Sequence, residues 1–422
     1  MTAPRLHNWS GTYTFAAPRL HRPGSVDELR QVVAGARRTR ALGARHSFNG
    51  IADTQGDLLD LSALPREMVV DRDRGTVTVG AATHYGDLAA RLHREGLALH
   101  NMGSLPNVTV AGATATGTHG SGDRNGNLAT AVAGFERVGP GGDLVTVERG
   151  DAGFDGMVVG LGAFGIVTRV TLDVQPTFLL RQDAFVRLPW RTLLERLDEV
   201  MSAAYSVSLF TKWSGESVDR LWLKTRVEDD RPLEVAAHHL GVEAANHAMV
   251  YKEDDSTSRL NPFGVAGPWS ERLTHFRPDR DPGSPEQIQS EVLVPRDRAV
   301  AALELLREMG DRIDPHLGLS ELRTVAADAL WLSGSHGHDV VGIHFTWNKE
   351  PEAVGRLTAE IEEKLLPLGG RPHWGKLLHA PAHQLAPLYP RMEDFRTLAR
   401  QLDPDGKFRN PWLDRHVLTE QP

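Results

Sequence analysis

Cysteine is missing from all 422 residues of the chain. No disulfide, thiolate nucleophile, cysteine-ligated zinc or iron–sulfur cluster can therefore form, and any chemistry must come from other side chains or from a cofactor. Long apolar runs are missing too. No uninterrupted stretch reaches the ~18–20 residues of a membrane-crossing helix. The segment Met1 to His7 has no apolar signal core, and the pair Arg37-Arg38 lies too far inside the chain for an export tag, so a cytoplasmic location is expected. Positive charge is in deficit: 47 Lys and Arg face 55 Asp and Glu, a formal net charge of −8. Without a basic tract or clustered arginines and aromatics, nucleic acid is an unsuitable partner, and small polar ligands fit better.

What remains is ordinary for a globular protein, with 40% hydrophobic and 24% charged residues. The length exceeds the ~50–250 residues that one core usually serves, which points to two domains. Ser25-Val26-Asp27-Glu28 has the form of a capping box, and Leu29, Val32, Val33 and Ala36 recur at helical spacing, which predicts a helix over 25–38. A short strand, Thr39 to Gly43, leads into the loop Ala44-Arg45-His46-Ser47-Phe48-Asn49. On its residues alone, His46 can be a cofactor ligand, a surface group or a loop anchor. Met68–Asp71 and Thr76–Gly80 form a hairpin pattern, as do Val132–Val138 and Leu144–Glu148, and Tyr85, Leu88, Ala89 and Leu92 mark a helix.

From Asn101 to Gly126 the composition turns small and polar. Such a chain can approach a ligand closely and offer its amides to an anion such as a pyrophosphate. A flexible linker is the alternative, but Val108, Val110, Ala111 and Ala113 argue for a packed segment. Gly160-Leu161-Gly162-Ala163-Phe164-Gly165 matches the dinucleotide pattern G-x-G-x-x-G, yet a strand-like run, Ile166 to Leu172, follows it where a Rossmann fold needs a helix. The Rossmann reading is rejected on that ground.

Beyond Gln175-Pro176 three segments carry polar residues in alternation. Glu321 and Arg323 share one strand face. In Val341 to Trp347 the apolar residues take one face and leave His344 and Thr346 on the other. His373-Trp374-Gly375-Lys376 adds a third segment, with the histidine on one parity and the lysine on the other. A half-buried antiparallel sheet facing water alternates in the same way, but these groups also suit a polyhydroxylated substrate. His238-His239 and His336-Gly337-His338 lack carboxylates at ligand spacing; they are expected to be surface residues, and no metal site is expected.

Taken together, Leu42 to Asn49, Asn101 to Pro106, Thr116 to Gly122, Gly162 to Thr168, Glu321 to Val325, His344 to Trp347 and Arg371 to Lys376 resemble the vanillyl-alcohol-oxidase type of flavoprotein, and within it the bacterial alditol oxidases, nearly end to end. The resemblance implies an α+β fold. A two-part FAD-binding domain (1–176 and a returning segment, 376–422) would carry an inserted mixed α/β substrate or cap domain (177–375). It implies that His46 is joined to the 8α carbon of FAD, a link expected to raise the flavin potential. Leu42, Gly43, Ala44, Arg45, Ser47, Ser104, Thr109, Gly112, Thr116, Gly117, Thr118, His119, the Val167 backbone and His373 would line the cofactor. Ser104, Glu321, Arg323, Thr346 and Lys376 would bind the substrate, with Arg323, Lys376, His344 and Glu321 in the chemistry. Gly103 would set oxygen access.

By the same resemblance the activity is oxidation of the terminal alcohol of a polyol such as xylitol or sorbitol, with O2 as acceptor and H2O2 as product. A monomer without nucleic-acid or membrane partners is expected. Arg45 stands where many relatives have a small residue, usually glycine, and an outward orientation is expected of it. The rival within the class is an aldonolactone oxidase or dehydrogenase; a rival of another class is a non-catalytic sugar-binding protein, which would be colourless.

Overall fold

The computed structural model describes residues 6–229, 240–245, 260–277 and 286–419. His238 and His239 lie outside them, as do Met1 to Arg5. The first helix, Val26–Gly35, is capped by the Ser25 side chain, which accepts from the Glu28 amide at 3.2 Å. It buries Leu29 and Val33 and stops short of residue 38 because Ala36 is already extended (φ −77°, ψ 141°). Strand Thr39–Leu42 then pairs in parallel with Asp57–Asp60, which pairs in parallel with Arg19–His21.

Both expected hairpins form, and strand Ile166–Asp173 joins them into a five-stranded antiparallel sheet. The segment 101–126 is packed: it contains the short helix Val110–Ala115, with Val110, Ala113 and Thr114 buried. The glycine loop 160–165 follows a helix, Phe154–Val158, and precedes a strand, the reverse of the Rossmann order.

The later region is built on a nine-stranded sheet, counted among the described residues. Its inner strands, Ser206–Thr211, Leu317–Val325, Val340–Asn348 and Gln287–Pro295, are neighbours in that order and antiparallel. Because side chains alternate across a strand, one face carries Leu209, Leu322, Ile343, Phe345 and Val292 into an apolar core shared with the helices Ala299–Glu308 and Pro351–Leu365. The opposite face presents a row that crosses the strands in register, Phe210, Glu321, His344 and Glu291.

The tail closes back on the N-terminal region. The Phe395 ring meets that of Phe164 at 4.8 Å, and Asn410 Nδ2 donates to the carbonyls of Gly50, Ile51 and Asp53 at 2.8–3.1 Å. One expectation fails. Arg371–Pro372 is only a two-residue strand, and His373 to Lys376 closes as a turn with Lys376 N donating to His373 O at 3.0 Å. Strand parity therefore does not apply, and both side chains reach the same cavity.

Candidate active site

A cavity of about 550 Å³ lies between the N-terminal region and the polar face of the large sheet, within the ~300–1,000 Å³ usual for ligand pockets. Leu42, Gly43, Ala44, Arg45, His46 and Ser47 line it, as do Gly103, Ser104, Thr109, Gly112, Thr116, Thr118, His119 and Val167 and, from the later region, Glu321, Arg323, His344, Thr346, His373 and Lys376. Gly117 is the expected residue that does not line it; with φ +65° it turns the chain after the short helix. The rejected dinucleotide look-alike does contribute, through Leu161, Gly162 and Gly165.

The His46 loop is braced from two sides. Asn8 Nδ2 donates to Ser47 O at 3.0 Å, Trp9 N donates to Arg45 O at 2.8 Å, and the Trp9 ring lies 4.7 Å from that of His46. From the other side, Phe48 N donates to Gly375 O, and Asn49 Nδ2 to the carbonyls of Trp374 and Lys376, all at 2.7–2.8 Å. This is how residues some 330 positions apart in sequence come to share a wall. Arg45 is exposed, as expected, and sits at φ +63°. That left-handed conformation costs a non-glycine residue ~1–2 kcal/mol, a physical reason for glycine at this place. Gly43 and Gly112 meet at Thr109, where a Cβ on either would come within 2.9 Å or 2.7 Å of Oγ1.

On the sheet side Arg323 is held between two buried carboxylates. Its Nη2 lies 2.9 Å from Glu291 Oε1, its Nε lies 3.6 Å from Glu321 Oε2, and its Nη1 donates to Ser104 Oγ at 3.3 Å. Glu291 also faces His119 Nε2 at 3.1 Å and His344 Nδ1 at 3.5 Å. A Cβ at Gly342 would be 3.2 Å from His119 Cε1 and 3.3 Å from Glu291 Oε1, so the glycine makes room for the histidine beside the sheet. Burial opposes ionisation of both carboxylates. His119 and Arg323 nevertheless hold Glu291 well below the usual carboxylate range, and Arg323 and His275 do the same for Glu321. Lys376 Nζ donates to Gln289 Oε1 and lies 5.3 Å from the centre of the Phe48 ring; burial brings it down to about 8. His344 is lowered by burial, and its Nε2 is 3.1 Å from Thr346 Oγ1.

A profile of FAD-binding domains matches residues 17–148, and one of D-arabinono-1,4-lactone oxidases matches 284–416. The chain is 45% identical over 417 residues to an alditol oxidase of a Streptomyces species, covering 96% of this chain and 97% of that one. The chain belongs to the alditol oxidase family of FAD enzymes. It is also 29% identical to an L-gulono-1,4-lactone dehydrogenase of Mycobacterium tuberculosis, covering 98% and 99% of the two chains. A crystal structure of cholesterol oxidase from B. sterolicum superposes with a TM-score of 0.79 at 15% identity, covering 98% and 96%, and thus shares the fold. The α+β, vanillyl-alcohol-oxidase type of architecture expected of the chain is the one it has.

The site of this alditol oxidase relative suits a flavin. His46 Nδ1 is buried without a hydrogen-bond partner, and burial, with Lys376, His84 and Arg45 adding to it, lowers the imidazole to about 3. The ring is thus held neutral, with one nitrogen left without a partner. Among the described residues no group of three or more His, Asp or Glu could hold a metal, and no helix is long and apolar enough to cross a membrane. His336, expected at the surface, is half-buried with Nδ1 3.1 Å from Leu330 O.

Glu291, His275, Lys224 and Gln289 were not foreseen. Each sits on a strand or loop whose neighbours are apolar or unremarkable, and only the parity of Gln289 and Glu291 in Gln287–Pro295 could have pointed inward.

Buried neutral histidines make stability fall in acid. Burial lowers His373 to about 3 and both His275 and His416 to about 4, against ~6.5 in an unfolded chain. Between those values the unfolded state binds more protons, so stability is full above ~6.5 and is lost as pH falls. Glu362, raised to about 7 by burial, acts in the opposite sense, as one group against three. The melting temperature should therefore drop between pH 7 and pH 5; a flat or rising profile by differential scanning fluorimetry would contradict this.

Proposed function

We propose that the protein oxidises the terminal primary alcohol of a polyol such as xylitol or sorbitol to the aldose, with O2 as acceptor and H2O2 as product. The observation that carries this reading is the convergence of Arg323 and Lys376 with a neutral His344 at the polar face of the large sheet, in the cavity that His46 also lines. A flavin held in the cavity would supply the hydride acceptor and the route for the electrons to oxygen. The chain supplies the rest. Arg323 and Lys376 lower the energy of the alkoxide-like oxygen; His344, uncharged and backed by Glu291, accepts the hydroxyl proton; Ser104, Thr346 and Glu321 hold the remaining hydroxyls.

We place the flavin attachment at His46, on the strength of its unpartnered buried Nδ1. We divide the chain at 176 and 375; the first boundary is supported by Gln175–Pro176 pairing with Leu97–Ala98 while the large sheet starts at Leu179. Comparing peroxide production from xylitol, sorbitol and L-gulonolactone tests the substrate class. Turnover of the polyols is expected, and turnover of the lactone alone would replace this reading with that of a lactone oxidase.

Oxygen access is assigned to Gly103. A methyl group there would contact Thr118 Cγ2 at 3.5 Å and His119 O at 3.8 Å, so Gly103→Ala folds without a clash and only narrows the cavity. Reoxidation of the reduced enzyme by O2 should slow by about tenfold, ~1.4 kcal/mol in barrier, with reduction by substrate little changed. An unchanged reoxidation trace in stopped flow removes Gly103 from that role.

A further inference from the structure

Beside Glu321 stand two groups that the reaction as described leaves unused, His275, which also lines the cavity, and Lys224, which does not. Glu321 Oε1 is 2.7 Å from His275 Nε2, and His275 Nδ1 is 3.2 Å from Lys224 Nζ. Lys224 is 1% exposed and sits on Ser217–Arg226, an inner strand paired on both sides. Its ammonium also donates to the carbonyls of Leu273 at 2.5 Å and Thr274 at 3.2 Å, so all three N–H groups have acceptors. A cation buried this deeply is costly unless its charge and donors are matched, and Glu321 is the carboxylate at the end of the chain it starts.

The geometry fixes which way the hydrogen bonds run. As an ammonium Lys224 has only donors, so His275 Nδ1 accepts, Nε2 carries the hydrogen, and that N–H donates to Glu321; burial brings Lys224 down to about 7, so this arrangement belongs to pH values at and below neutrality. Burial keeps His275 uncharged near neutrality, lowering it to about 4. The ring is packed against Phe210 and Trp222, whose centroids lie 5.8 Å and 5.1 Å from its own in T-shaped geometry. One Glu321 oxygen is thus occupied by His275, while Oε2 lies beside Arg323. The same segment steadies Ser104, whose carbonyl accepts from the backbone N–H of His275 at 3.1 Å and of Phe276 at 3.4 Å.

Position decides what Glu321 is for. In the row across the sheet it lies between Phe210 and His344, whereas Glu291 and Gln289, with Lys376 bound to Gln289, lie on the far side of His344. A hydroxyl reacting near His344 and Lys376 leaves Glu321 to meet another one.

We propose that Lys224 and His275 are positioning residues that hold Glu321 as an ionised acceptor for a hydroxyl beyond the reacting carbon, so that the pocket selects polyols over short diols. This rests on the polyol-oxidase reading. The test uses intact holoenzymes of the wild type, Lys224→Met, His275→Leu and His275→Gln, after flavin content has been matched, with xylitol and 1,2-propanediol as substrates. Lys224→Met and His275→Leu should raise KM for xylitol about tenfold, the worth of one charge-assisted hydrogen bond, with kcat nearly unchanged and the diol's constants unmoved. His275→Gln keeps a donor toward Glu321 and should restore most of the xylitol KM; this pair decides the matter if Lys224→Met does not fold. Equal losses on both substrates, or no loss on either, would overturn the proposal. A wild type inactive on every polyol would instead overturn the reading beneath it.

Discussion

Replacing Arg323 with methionine should lower kcat/KM for a polyol by about 10³-fold, the loss seen when an oxyanion-stabilising donor is removed from a water-excluded site. The residue touches three groups of the reaction face, Glu291 at 2.9 Å, Ser104 at 3.3 Å and Glu321 at 3.6 Å. Its removal leaves Glu291 and Glu321 as buried charges that have lost a partner, which costs ~3–5 kcal/mol of stability. The two effects are separable. Adding Glu291→Gln to Arg323→Met relieves the excess negative charge, so thermal stability should recover while activity does not. Recovery of both, read from melting curves and steady-state kinetics, would mean that Arg323 serves the fold and not the substrate. Arg323→Lys keeps the charge but loses the fork that spans the two carboxylates, and an intermediate rate is expected of it.

His46→Ala should abolish covalent flavin altogether. The wild-type band should fluoresce in a denaturing gel, and the variant should release its FAD on acid precipitation. Much of the cradle is independent of His46: Gly43, Thr109 and Gly112 are mutually packed, and the loop stays tied to Gly375 through Phe48 N at 2.8 Å. The variant should therefore still take up FAD reversibly. Without the imidazole bond its flavin potential should fall and substrate reduction should slow. A fluorescent band that persists in the variant would place the attachment on another residue.

How much of this was legible in the sequence depends on whether a feature is local. Helix Val26–Gly35, both hairpins and strand Ile166–Asp173 follow from caps, periodicity and turn glycines within a few residues, and they form as expected. The polar parity of Glu321, Arg323, His344 and Thr346 likewise survives, because a strand's period is fixed by its backbone. The His373–Lys376 segment was misread because a turn, set by contacts with Phe48 and Asn49, replaced the strand. Glu291, His275 and Lys224 escaped notice because their meaning lies in partners 32 to 51 positions away, joined by the register of the sheet and by the loop that carries His275. The look-alike glycine loop shows the converse. Its topology excluded one way of binding a dinucleotide, yet the fold brings Gly162 and Gly165 to the cavity by another route.

The central claim is that a polyol delivers its electrons directly to a flavin held in this cavity. Anaerobic mixing of the purified holoenzyme with xylitol, followed by visible absorbance, tests it most directly. The account predicts that the yellow colour bleaches within the turnover time, returns when oxygen is admitted, and yields one equivalent of H2O2 per flavin. A spectrum that stays yellow with xylitol and sorbitol, and bleaches only with L-gulonolactone or not at all, would contradict it.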